Sequence, residues 1–222
     1  MNKLFCSILI FVFASIPLLA QQNTKPVPTS PVKEITDLKN GVLIVRLTSE
    51  YRKLEALEEL LENGDISVET EANLPLKMTR IEVERDLEND LWVRNFKAHY
   101  QFSDILFAYD TLRMDALIKN DGKNCFLDED MKINPSLSLN GRPFLMLYKG
   151  IISEGSGAEA VLFRDANFVQ LKKPFPYFVR TTRFMYVFNS IFKGSIADAR
   201  NIEQVVKKIE KKLNKFYNTW VN

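Results

Sequence analysis

The chain has 222 residues, with 30 Lys or Arg against 28 Asp or Glu and a formal net charge of +2 with its one His neutral. That balance excludes the strong basic field by which proteins hold nucleic acid or an anionic membrane, and the length suits one well-buried domain. Two cysteines in so long a chain exclude a disulfide scaffold, and with a single His they exclude the common tetrahedral zinc sites.

Lys3 precedes an apolar run from Leu4 to Ile16, interrupted by Ser7 and Ser15, and Pro17-Leu18-Leu19-Ala20 gives way at once to Gln21-Gln22. This is the form of a cleavable secretory signal over residues 1–20. The run barely reaches the roughly 20 apolar residues of a spanning helix, and no stop-transfer pattern follows. Cys6 stands at its start, away from the cut, which argues against a lipid-modified N-terminus. The expected mature protein has 202 residues with 29 basic and 28 acidic side chains. It is periplasmic or secreted, lacks an integral membrane segment and, keeping only Cys125, has no internal disulfide.

Residues 21–32, with Pro26, Pro28 and Pro31 among Gln, Asn, Thr and Ser, read as a flexible tether, and residues 33–222 as the folded domain. Residues 41–47 form a near-continuous apolar run, the pattern of a strand covered on both faces. Leu54, Leu57 and Leu61 mark an amphipathic helix stopped by Asn63-Gly64. A break containing Pro75 leads to a second helix, with Val83, Leu87 and Leu91 on one stripe, Trp92 and Phe96 beside it, and an end near Tyr100. Apolar runs at 105–109, 124–127, 144–148, 160–163 and 168–171 read as strands. Asp165-Ala166-Asn167 joins the last two as an antiparallel hairpin, and residues 110–120 suit a short helix. Cys125, within the expected 124–127 strand, reads as a small core hydrophobe. Near the C-terminus Ile202, Val205, Val206, Ile209, Leu213 and Phe216 form one helical stripe behind an Asp198 cap, with Lys207, Lys208, Lys211, Lys212 and Lys215 on a solvated face. Together these give an α/β fold: one domain with a mixed sheet of about five or six strands, flanking helices and a closing C-terminal helix. A thioredoxin-like arrangement without redox cysteines is the alternative.

The motifs of chemistry are sparse. His99 is the sole histidine, and no G-x-S-x-G elbow supplies a serine for it. Asp128-Glu129-Asp130 departs from a calcium loop at Lys132 and Ile133, and Gly155-Ser156-Gly157 lacks the phosphate-loop spacing. The expectation is therefore no cofactor and no metal. The most distinctive stretch is Lys172 to Arg180, where Lys173, Phe175, Tyr177, Phe178 and Arg180 could stack on a sugar or peptide. The competing explanation is that Phe175, Phe178, Phe184, Phe188 and Phe192 fill a core.

This stretch, with residues 38–47 and 167–171, resembles an uncharacterised family of exported proteins from Bacteroidota. The resemblance covers most of the mature domain and implies export and a single domain, with no functional residues to carry over. The scarcity of titratable catalytic groups favours a non-catalytic binding or interaction module of the cell envelope, with an envelope protein or a glycan as partner. The competing class is an acid–base enzyme using Asp104, Asp110 or Asp128, such as a glycoside hydrolase. Two converging carboxyl groups with raised pKa would mark the enzyme, and an apolar or aromatic patch the binder.

Overall fold

Why the first strand is apolar at almost every position is plain from its place in the sheet. The computed structural model describes residues 30–152, 157–181 and 195–221. In it α1 (Pro31–Lys39) leads into β1 (Val42–Leu47), followed by α2 (Tyr51–Asn63), α3 (Val68–His99), β2 (Asp104–Tyr109) and α4 (Met114–Asn120). Then come β3 (Phe144–Ile151), β4 (Glu159–Arg164), β5 (Phe178–Arg180) and α5 (Ser195–Trp220). The strands form one mixed sheet in the order β2-β1-β3-β4-β5, with β1 parallel to both neighbours, β4 antiparallel to β3 and β5 antiparallel to β4. The protein is thus an α/β fold with flanking helices and a closing C-terminal helix.

Strand β1 is central and covered twice. Leu43, Val45 and Leu47 join the larger core with Ile35 and Leu38 of α1, Trp92, Val93 and Phe96 of α3, and the stripe of α5. Val42 and Ile44 face the other way, onto Leu117 of α4 and onto Phe126 and Leu139 of the long loop before β3. A strand buried on both faces has no reason to alternate. The exception is Arg46. Gly41 makes the entry possible: a Cβ there would lie 2.6 Å from the Asp37 carbonyl oxygen and collide with that of Pro143, the same oxygen that accepts from Val42 N at 3.0 Å.

Several expectations change in the structure. Helix α3 runs through Pro75 without a break. Pro75 and Glu71 are both exposed, so the Glu71 carbonyl that loses its amide partner can be satisfied by water. Its core stripe is also displaced: Ile81, Asn89, Trp92, Val93 and Phe96 are buried, whereas Val83 and Leu87 are 61% and 50% exposed. Residues 124–127 are not a strand but a loop with single bridges from Leu127 to Phe107 and Ile133. Cys125 is accordingly half-buried, its Sγ 3.4 Å from the Lys123 carbonyl oxygen. Residues 168–171 pair with β4 only through the Arg164–Gln170 bridge. The intended antiparallel return is there, but the excursion containing Pro174 and Pro176 interrupts it, and the ladder resumes at β5. Pro31 and Val32, read as tether, open α1 instead, with Pro in the first turn where its missing N–H costs nothing. Helix α5 begins at Ser195, three residues before the expected Asp198 cap. The signal at 1–20, residues 21–29 of the tether, the Gly155-Ser156 loop and the core assignments of Phe184, Phe188 and Phe192 lie outside the described residues.

One buried carboxyl is out of place energetically. Glu34 of α1 and Asp165, at the turn after β4, are each only 6% exposed. Burial first, then the Asp165 and Asp37 charges, push the Glu34 carboxyl up to about 7, against a smaller opposing pull from Lys33. Between about pH 4.5, where the unfolded carboxyl titrates, and about pH 7 the folded state binds the extra proton, so stability falls as pH rises through this window. The full shift corresponds to about 3 kcal/mol, and partial access of water to the carboxyl reduces the expected effect to about half of that. Glu34→Gln is therefore expected to gain about 1–2 kcal/mol in urea unfolding at pH 8 and to lose that gain near pH 4.5.

Candidate functional site

In sheets of this kind, ligand crevices form beyond the carboxyl ends of parallel strands, where successive connections leave toward opposite faces. The chain leaves β1 through α2 and α3 on the Trp92 face and leaves β2 through α4 on the other. On the Trp92 face, between α3, α5 and the adjoining ends of β3 and β4, lies a cavity of about 460 Å³. Its apolar floor is Leu87, Leu91 and Trp92 from α3 with Ile202 and Val205 from α5. Its rim carries both signs of charge, with Glu84, Glu88 and Glu159 against Lys53, Lys149 and Lys208.

The polar groups of this cavity are organised by the helices. Glu88 accepts from the Trp92 indole Nε1 at 3.1 Å and pairs with Lys149, both through Oε1. Arg85 donates to Asp86 at 2.8 Å and to the Ser49 carbonyl at 3.3 Å, and Asn89 donates to the Thr48 carbonyl at 2.8 Å. These bonds fasten the end of β1 to α3. Glu50, which lines the cavity, begins α2 with a left-handed backbone (φ 53°), a conformation that costs a non-glycine residue about 1 kcal/mol or more. Asn201 Nδ2, from α5, is buried without a hydrogen-bond partner, and its residue lines the same cavity.

Of the carboxylates considered for acid–base chemistry, Asp104 and Asp110 are not brought together. Asp104 opens β2 and pairs with Arg142. Asp110 follows the other end of that strand and accepts from Ser49 N at 3.0 Å and from Ser49 Oγ. Six residues of extended chain separate the two by about 20 Å, well beyond the roughly 5–9.5 Å of a glycosidase pair. Asp128 accepts from the backbone of Asp130 and Lys132 at 3.0 and 2.9 Å, holding its own loop. The carboxyl raised to about 7, Glu34, does not line the cavity. His99 meets Glu203 of α5 at 3.6 Å, an interhelical contact. Among the described residues no group of three or more His, Cys, Asp or Glu is placed to hold a metal, and no helix is long and apolar enough to cross a membrane.

The stretch from Lys173 to Arg180 divides. Phe175 is 2% exposed, its ring 5.6 Å from Phe163 and 5.7 Å from Phe216, so it belongs to the core and not to a surface. Tyr177 and Phe178 are half-buried and packed together at 4.8 Å. Lys212 donates to the Phe178 carbonyl at 2.9 Å and lies over its ring, so this lysine seals the sheet edge and is not wholly solvated. Lys173 and Arg180 are exposed. None of these five lines the cavity, although the next residue, Thr181, does.

In comparison with known proteins, no family model, no curated protein and no solved structure matches the chain.

Proposed function

We propose that this protein is an exported, non-catalytic binding module whose ligand, a peptide segment of an envelope partner, sits in the cavity between α3 and α5. The observation that carries this reading is the combination of an apolar, mainly aliphatic floor with a rim of both charge signs. A peptide offers apolar side chains beside charges of either sign, whereas a glycan would ask for exposed aromatic platforms. The indole of Trp92 is nearly buried and its N–H already engaged.

Leu87 is half exposed at the cavity floor, so Leu87→Arg can block the site without disturbing the core. Peptides selected from a displayed library on the purified protein are expected to bear an aliphatic or aromatic anchor and to lose at least tenfold in affinity against Leu87→Arg. Selection of no peptide sensitive to that change would reject the cavity. Hydrolysis of chromogenic glycosides that disappears in Glu88→Gln would establish the enzyme instead. Export has its own measurement: mass spectrometry of the protein from its native host is expected to find an N-terminus near Gln21, and recovery of the intact Met1 form from the cytoplasm would contradict it.

A further inference from the structure

On the opposite face of the sheet from the cavity, two arginines share one face with little to hold. Arg46 interrupts the apolar run of β1 and Arg164 closes that of β4. The register Ile44–Met146 and Met146–Arg164 places them on either side of β3, on the face shared by Ile44 and Met146. Each is half-buried against an aromatic ring: the Arg46 guanidinium lies 5.4 Å from the Phe168 centroid and that of Arg164 4.0 Å from the Tyr148 centroid.

A guanidinium presents five donors in a planar fork. Arg46 commits only Nη2, to the carbonyls of Asp110 and, at 3.5 Å, Leu112. The Arg164 guanidinium has no hydrogen bond among the described residues, and neither arginine has a salt-bridge partner there. The Nε–H of both is buried without an acceptor. The acid that acts most on Arg46, Asp110, attracts it without a hydrogen bond to its carboxylate, whose Oδ1 accepts from Ser49. Each arginine is also repelled by the other, so the pair is a partly desolvated concentration of positive charge without a salt bridge among the described residues. The backbone is held there at some cost as well: Phe168 occupies the left-handed position of its turn (φ 62°), where glycine is usual, and this turn sets the ring beneath Arg46.

We propose that Arg46 and Arg164 form a binding site for an organic oxyanion, a carboxylate, phosphate ester or sulfate ester, received by the two guanidinium forks between Tyr148 and Phe168. Two oxygens of a carboxylate, phosphate or sulfate accept paired N–H donors from such forks, and the half-buried setting strengthens each bond. The site is separate from the peptide cavity and does not depend on it.

Glucuronate, glucose 6-phosphate and glucose 6-sulfate, titrated into the purified protein at constant ionic strength, separate the three chemistries. The Nε–H resonances of Arg46 and Arg164 report directly on the donors that lack acceptors. At least one of the three is expected to shift them saturably, with affinity reduced at least tenfold in Arg164→Gln and reduced also in Arg164→Lys, which keeps the charge but loses the fork. Arg94→Gln, on an exposed ion pair of α3, should leave the binding unchanged. A shift that does not saturate, or that survives in both Arg164 variants, overturns the proposal.

Discussion

Deletion of residues 195–222 is expected to yield a product with helical far-ultraviolet circular dichroism but no near-ultraviolet signal, and with strong binding of an apolar dye, the signature of lost tertiary packing. Helix α5 places Ile202, Val205, Val206, Ile209, Leu213 and Phe216 in the larger core, all nearly inaccessible to water. At about 1.5–3 kcal/mol each these side chains account for roughly 9–18 kcal/mol of burial, as much as the roughly 5–15 kcal/mol net stability of a typical domain. The helix also satisfies groups outside itself: Glu210 accepts from the amides of Gln101 and Phe102 at 3.1 Å each, where the chain leaves α3 for β2. Ile209→Asp should act in the same direction, since it buries a charge without a partner. Reversal of Lys207, Lys211 and Lys215 to Glu is the contrasting case. These lysines are exposed, and among the described residues Lys207 pairs only with Glu203 one turn away, so the melting temperature should move by a few degrees at most. Lysine-dependent sedimentation with anionic vesicles, together with a stable truncated domain, would show instead that the basic face serves a membrane.

How much of this could be read beforehand depends on whether the signal was local. The stripe of α5 is legible because one helix packs one face on one sheet, and all six apolar positions are core. Strand β1 is legible because burial on both faces leaves a run that no helix period explains. Strand β5 was obscured by prolines that carry the chain out of the sheet between Leu171 and Tyr177; the resumption of pairing depends on β4, a tertiary fact. At Pro75 a local rule gave way because the freed carbonyl is exposed. The cavity could not be read at all, since its floor joins Leu87 to Val205 across more than a hundred residues of sequence. The arginine pair left a trace, a charge inside one apolar strand run and a charge at the end of another, but only the sheet order brings Arg46 and Arg164 to the same face.

The displaced stripe of α3 leads to the other large expected effect. Phe96→Ala should lower stability by about 3–5 kcal/mol in urea unfolding, the usual cost of a lost core aromatic. The Phe96 ring is fully buried and lies 5.9 Å from Trp92, 5.6 Å from Tyr100 and 6.4 Å from Phe107 of β2, so it joins the long helix to the sheet and its removal leaves a cavity that those rings cannot all close. Val83→Ala and Leu87→Ala, which the apolar periodicity would rank as equal core positions, should each change stability by about 0.5 kcal/mol or less because both side chains already face water. Leu87→Ala should nevertheless weaken peptide binding, since that side chain is part of the cavity floor. Loss of stability at Leu87 comparable to that at Phe96 would mean that this face of α3 is covered by protein, and the cavity would then be part of the core and not a place for a partner.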